Sequence, residues 1–244
     1  MNWFLTLCKV ELRLALRSFD MVIFAIIFPV GLMLLLGLIG LKAEQADFAG
    51  VAAMAIIATG LMGLPLTLCD YRHRKVLRSF QASPAHPAAL LAAQTLTQAS
   101  FAAVAAILVL LVAGLGFGQT VHRPLEFLGA WLVLLASTFG IGYLVAALAP
   151  IAKAAGLACS ILYFPVLLLS GATIPTGVFP PVVQDILGAL PFSQGILLLK
   201  QAALDAIPAG HGLAASAVSV LPWLYLAGLG LAGYAIAVRN FRWS

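Results

Sequence analysis

Charged side chains are scarce in this chain: 13 Lys and Arg with 8 Asp and Glu make up 9% of 244 residues, against about 25% in an ordinary soluble domain. So little charge cannot coat a water-facing surface, and with 63% hydrophobic residues the class is a polytopic membrane protein. The net charge of +5 is not a nucleic-acid footprint. Four of the cations crowd between Arg72 and Arg78, and the rest mostly flank apolar runs, as membrane topology requires. The cysteines, Cys8, Cys69 and Cys159, are odd in number, with no C-x-x-C spacing and no His pair nearby. That excludes a disulfide framework and a zinc site and leaves them as small hydrophobes.

Other absences narrow the chemistry. No lysine is followed by Ser or Thr, so there is no G-x-x-x-x-G-K-[ST] loop to cradle ATP phosphates. No Asp, Glu or His lies well inside an apolar run, where a proton- or ion-coupled carrier needs one. No G-x-S-x-G elbow appears and no His–Ser arrangement lies inside a run, which counts against an intramembrane hydrolase. His73, His86, His122 and His211 fall in loops or near run ends as surface polar residues. The amino terminus is not a cleavable signal peptide, since its first apolar run follows about 20 amphipathic residues and has full spanning length. The drive for any work done by this chain must come from outside it.

What is present is a series of charge-free runs long enough to span, at 21–41, 48–69, 78 to about 117, 127–150, 154 to about 184 and 212–238, the third entering its helix near Ala88 and the fifth dividing after Ser170-Gly171. The expectation is an all-α membrane protein of six spans. Pro84 and Pro87 belong to the loop and first turn leading into the third. Lys and Arg in the connections set the orientation. Lys9, Arg13, Arg17, Arg72, Arg74, Lys75, Arg78, Lys153, Arg239 and Arg242 fall on one side, and Lys42, Arg123 and Lys200 on the other. Both termini are therefore expected in the cytoplasm.

Residues 1–19 are too polar to span but are patterned as a helix. Asn2, Thr6, Lys9, Arg13 and Arg17 share a face beside Trp3, Leu7, Val10 and Leu14, as in helices lying along the headgroup layer. Phe19-Asp20 is the expected elbow into the first span. Glu11 projects among the apolar residues; either it reaches water at the interface, or it pairs with a basic residue of the Arg72–Arg78 loop.

Two further segments are unusual. After the second run comes Cys69-Asp-Tyr-Arg-His-Arg-Lys-Val-Leu-Arg-Ser-Phe-Gln-Ala-Ser-Pro84. Val76, Leu77 and Phe80 recur there at helical spacing, with Arg72, Lys75 and Ser79 on other faces. An apolar ridge with a cationic flank suits docking into a groove of a soluble partner; the alternative is an anchor lying on lipid. The fifth run ends in Ser170-Gly-Ala-Thr-Ile-Pro-Thr-Gly-Val-Phe-Pro-Pro181, followed by Leu190-Pro-Phe-Ser-Gln194. Hydrocarbon cannot satisfy free backbone groups, so broken backbone at membrane depth survives only inside protein or against water. Such a segment builds a gate or plug and points to a transporter.

Polar or aromatic residues within otherwise aliphatic runs are candidates for a pathway wall: Thr59, Ser137, Thr138, Phe139, Tyr143, Ser160, Tyr163, Phe164 and Ser170. The Tyr163-Phe164 pair beside Pro165 ranks first, because proline kinks a helix and frees a carbonyl; the competing reading is packing. Hydroxyls and rings without fixed charge suit an apolar or amphipathic cargo. Small-residue stripes (Gly31–Gly37–Gly40, Gly140–Gly142, Gly228–Gly230–Gly233, Ala152–Gly156–Ser160) let helices approach closely in lipid, most of them within the chain and one or two across a dimer seam.

An amphipathic elbow, a basic loop ending in Ser-Pro, and Ser-Gly-x-x-x-Pro with Leu-Pro-Phe before the last run, in that order, resemble the type-2 ATP-binding-cassette (ABC) transporter permease family, whose members export drugs, lipids or polysaccharides. The resemblance covers essentially the whole chain. It implies an interfacial helix at 1–19 and a permease domain at 20–244, with a cytoplasmic coupling loop at 70–87 and outer re-entrant helices at 172–200. Arg72, Arg74, Lys75, Leu77, Arg78, Phe80 and Gln81 would contact a separate ATPase subunit, with Glu11 and Arg13 as the elbow-helix contact. Thr59, Phe139, Tyr143, Tyr163, Phe164 and Ser170 would line the pathway, and Gly171, Pro175, Phe179, Pro180 and Pro191 the outer gate. ATP and Mg would be bound by the partner, leaving this chain without cofactor, metal site or catalytic residue. Two ATPase copies and a second permease, identical or sibling, would complete a transporter in the inner (plasma) membrane of a prokaryote, with no nucleic-acid partner. Two features depart from the family pattern. Arg72-His-Arg-Lys75 stands where members often carry acidic residues and a Gly-Thr pair, and Lys200 stands where many have Arg. The Lys200 departure matters little if its charge only anchors at the outer headgroups. The alternatives are a membrane scaffold or assembly factor without transport, and a gradient-driven secondary carrier.

Overall fold

The computed structural model describes residues 3–39, 47–74, 87–149, 152–174, 176–204 and 220–240. Every regular element among them is helical. Helix α1 is Trp3–Arg17. After Ser18, whose extended backbone (φ −79°, ψ 100°) turns the chain, α2 runs over Phe19–Leu38, α3 over Phe48–His73, α4 over Pro87–Phe117 and α5 over Pro124–Leu148. Then come α6 (Ala152–Leu169), a 3-10 turn at Thr176–Val178, α7 (Pro181–Ala189), α8 (Pro191–Leu204) and α9 (Leu221–Asn240).

Length and composition qualify four helices as membrane spans: α2 (20 residues), α3 (26), the 29 residues of α4 from Ala89 and α5 (25). The expected fifth and sixth spans, α6 and α9, are present as shorter apolar helices, 154–169 and 221–236. Between them α7 and α8 meet at a 92° bend. At that bend Leu190 is extended and Pro191 opens the next helix, because the residue before a proline is pushed out of helical geometry. The broken segment read from Ser170 onward is thus two short helices with an abrupt corner.

Helix α3 is the axis of the molecule. Its most apolar stretch is 78% buried, whereas that of α2 is only 17% buried and lies at the periphery. In lipid the helices gain little from excluding hydrocarbon from one another, so close backbone approach and van der Waals contact must hold them. The small-residue stripe does this between α5 and α9: a Cβ on Gly140 would sit 2.8 Å from the Gly230 carbonyl oxygen, and one on Gly233 would sit 2.7 Å from Gly140 oxygen. Gly140, Gly230 and Gly233 are therefore consumed inside the chain, while Gly31 and Gly228 face open space.

The end of the structure bearing the broken segment is held by a lysine. Lys200 on α8 pairs with the Asp47 carboxylate and donates to the Gly171 carbonyl at 2.6 Å. Asp47 in turn caps α3, accepting from the Gly50 amide at 3.0 Å. Gly171 terminates α6 with φ +86°, a left-handed conformation that a side chain would strain. Three helices are thereby fastened at one ammonium. The reading of Lys200 as a headgroup anchor is corrected: its side chain is 14% exposed and engaged inside the protein. Removing one partner of a largely buried pair strands the other. Lys200→Met or Asp47→Asn should lower stability by about 2 kcal/mol, and the double variant should recover part of that. Thermal unfolding of the reconstituted protein checks this, and additive losses would exclude direct coupling of the two.

Candidate functional site

Two prolines shape the interior face of α2 and α3. A proline inside a helix lacks the N–H and drives its ring against the carbonyl four residues earlier. Pro29 would meet Ala25 and Pro65 would meet Leu61. In both places the chain widens instead into a π-helical turn, at Ile23–Ile27 and Thr59–Gly63. The Phe28 amide then reaches back to Ile23 oxygen and the Leu64 amide to Thr59 oxygen. A π turn inserts an extra residue and bulges the helix, a geometry frequent at functional sites. Pro165, the sequence candidate for a kink, lies inside α6 without such a turn.

The two bulges enclose one space. A cavity of about 330 Å³ is lined by Asp20, Phe24, Ala25, Thr59, Met62 and Gly63, with Ser18, Met21, Leu66 and Thr67 among its other walls. A second cavity of about 530 Å³ shares Ser18, Met21, Leu66 and Thr67 with it and extends along α1 past Glu11, Asp70, Tyr71, Arg74 and Gln94. Together they form a groove from the flank of α1 into the apolar interior. Its two threonine hydroxyls are self-satisfied. Thr59 donates to Ala55 oxygen at 2.8 Å and Thr67 to Gly63 oxygen at 2.7 Å, so each presents a methyl-bearing wall without an orphaned donor.

Polar residues of α4 stand behind this groove. Gln94, Thr97 and Gln98 are buried at 2%, 3% and 0% exposure. Gln98 Nε2 points at the Met21 sulfur (3.6 Å), and its Oε1 has no partner. Sequence reasoning overlooked them, although the spacing 94, 97, 98 is one helical face inside an apolar run and was the available signal.

The remaining expected residues occupy several places. Tyr163 is buried edge-on to Phe24 (ring centroids 6.4 Å) and to Phe164 (5.3 Å), which puts Tyr163 directly behind the cavity wall and leaves Phe164 half exposed on the outside. Phe139 and Tyr143 belong to a separate core cluster. Tyr143 bonds to Leu91 oxygen at 3.1 Å and to Thr95, and stacks edge-on against Tyr234. Ser170, buried with its hydroxyl unpartnered, lies with Gly171 next to the Lys200 junction. Phe179 and Pro180 lead into α7, the Phe179 carbonyl accepting from Gln184 at 2.7 Å, and Pro191 opens α8. Pro175, Lys75, Leu77, Arg78, Phe80 and Gln81 lie outside the described residues. Arg72 turns inward, donating to the Ala149 carbonyl and reaching the Cys69 sulfur at 3.5 Å, while the exposed Arg74 pairs with Asp70 at 2.8 Å. Arg13 is exposed on α1.

Helix α1 packs on α4 and meets the end of α3 through Glu11. That carboxylate is only 4% exposed and accepts a 2.6 Å hydrogen bond from the Tyr71 hydroxyl. The carboxylate is therefore buried against a phenol rather than reaching water, and the expected pairing with the basic loop cannot be followed to Lys75 and Arg78, which lie outside the described residues.

A sequence model of the family described as ABC-2 type transporter matches residues 3–203. The chain belongs to that family. It is therefore a multi-pass membrane protein and the transmembrane subunit of an ABC-2 transporter. Permeases of this family are generally non-catalytic and typically work with an ATPase partner. The matched residues run from α1 into α8 and so include the groove, the Glu11–Tyr71 contact and the Lys200 junction. No curated protein matches the chain.

For this ABC-2 permease the Glu11 contact carries a pH signature. Burial raises the carboxyl above its usual 4.5, and the Tyr71 hydrogen bond only partly opposes this. A raised carboxyl means that the docked helix holds its proton more tightly than the undocked one. Glu11 thus contributes fully below about 4.5, and the contribution fades as pH rises through the docked value. Relative to Glu11→Gln, wild-type thermal stability should fall over that window and then level off. Parallel pH profiles for the two proteins would contradict this burial of the carboxyl.

Proposed function

We propose that this chain is the membrane half of an ATP-driven exporter that takes a hydrophobic or amphipathic compound from the cytoplasm or inner leaflet. The observation that carries the reading is the groove between the two π turns. It opens at the end of the molecule where the basic loop leaves α3, and it runs into an apolar interior backed by Tyr163. Family membership supports the ATPase partnership. The positive-inside balance of Lys and Arg supports cytoplasmic termini in a prokaryotic plasma membrane.

In this reading α2–α6 and α9 make six spans, with α6 and α9 as the short ones, and α1 lies at the inner interface as the elbow, Glu11 and Arg13 on its two sides. Helices α7 and α8 form the re-entrant outer cap, with Gly171, Pro175, Phe179, Pro180 and Pro191 at its corners. Two such permeases, identical or sibling, assemble with two ATPase subunits that bind the ATP and Mg. The loop carrying Lys75, Leu77, Arg78, Phe80 and Gln81 seats in the ATPase, while Arg72 and Arg74 brace its root against α5 and α3. Closure of the ATPase pair moves that root. Because Tyr71 and Arg72 tie it to α1 and α5, the groove walls move with it, and cargo passes from Thr59 and Phe24 outward past Tyr163, Phe164 and Ser170. Phe139 and Tyr143 hold the wall between α4, α5 and α9 rigid during the stroke.

An apolar contact residue at the centre of an interface contributes about 2 kcal/mol or more when lost, roughly a thirtyfold change in affinity. Leu77→Asp or Phe80→Asp should therefore abolish co-purification with the partner ATPase and uncouple its hydrolysis from cargo. Undiminished co-purification and coupling in both variants would overturn the mechanism.

A further inference from the structure

The groove carries a sign of charge as well as a shape. Three carboxylates border it, and two are already engaged: Asp70 by Arg74 and Glu11 by the Tyr71 hydroxyl. The third, Asp20, sits in the first turn of α2 at the wall of the inner cavity, exposed, and pairs with no cation among the described residues. Arg13 and Arg17 on the neighbouring α1 are exposed but line neither cavity. Beyond Asp20 the surface turns apolar and aromatic within one turn of helix, at Phe24, Ala25, Met62 and Leu66. Behind that surface, Gln98 Oε1 is fully buried without a donor. It presses on Gly63, where an added Cβ would lie 2.6 Å from it. The one charged side chain lining the inner cavity among the described residues is thus an unpaired carboxylate.

Such a lining selects by charge. A cation whose charge is spread over apolar groups loses little hydration on entering, gains the Asp20 carboxylate, and can lay its charge against the Phe24 ring. An anion of equal size meets repulsion at Asp20. A neutral amphiphile leaves the carboxylate unpaired beside hydrocarbon. Resting on the exporter reading above, we propose that the groove between α1, α2 and α3 is a binding site for lipophilic monovalent cations, with Asp20 as the counter-charge and the π-turn walls holding the apolar part.

Tetraphenylphosphonium and tetraphenylborate test this directly, being near-identical in shape and opposite in charge. Binding of each is measured to the full chain in lipid nanodiscs, with protein-free discs subtracted. Tetraphenylphosphonium should bind saturably. Asp20→Asn should weaken it about tenfold, as expected for one ion pair lost near the interface, whereas Asp20→Glu should retain it within about twofold. Tetraphenylborate should not be weakened by Asp20→Asn, and Asp20→Lys should favour it. An equal effect of Asp20→Asn on both ions, or none on the phosphonium, would overturn the proposal. The readout needs no ATPase, so its failure is distinct from loss of ATPase coupling in the Leu77 and Phe80 variants, which bears on the exporter reading alone.

Discussion

Hydrocarbon offers backbone amides and carbonyls no alternative partner, and this constraint governs the irregular parts of the fold. At several places where the helical ladder is interrupted, the chain supplies a substitute. At Pro29 and Pro65 the substitute is a longer-range backbone bond, closing a turn one residue wider. At the end of α6 it is the Lys200 ammonium on the Gly171 carbonyl, with the Thr173 hydroxyl on Leu167 oxygen at 2.8 Å. At the corner between α7 and α8 it is the Gln194 amide on Gly188 oxygen. Each repair uses space or a side chain that a straight helix would not need. The groove is the space used by the first kind, and the Lys200 junction is the side chain used by the second.

This explains what could be read from the sequence and what could not. The helical class, α1 and its turn before α2, the break after Ser170 and the family followed from hydropathy, amphipathic spacing and the order of motifs. Those signals are local, and lipid enforces them strongly. The span count was less accessible, because the apolar parts of α6 and α9 fall short of a full crossing while their flanking sequence remains apolar. The roles of individual residues were least accessible of all. Pro165 is the proline the sequence singles out, as a kink, whereas the π turns form before Pro29 and Pro65. A proline's consequence depends on whether the surrounding helices leave room for the chain to bulge, and that is a tertiary property.

The charged residues follow the same logic. Glu11 and Lys200 each looked like interfacial charges, because a lone charge near the end of an apolar segment usually is one. Their partners lie far along the chain: Tyr71 for Glu11, Asp47 and Gly171 for Lys200. Arg72, likewise, reads as a positive-inside marker but reaches the end of α5 at Ala149. In a chain with this few charges, several do double duty as topology signals and as long-range ties. Only the first role leaves a pattern in composition.

The placement of those ties has a mechanical consequence. Helix α3 is pinned at its start through Asp47 and at its finish through Arg72 and Tyr71. Its one departure from regular winding, Thr59–Gly63, falls between the pins. A rod clamped at both tips and jointed in the middle converts displacement at either tip into flexure at the joint. Its knuckle is the surface that holds whatever occupies the cleft, so a load there and a push from the far tip bear on the same hinge.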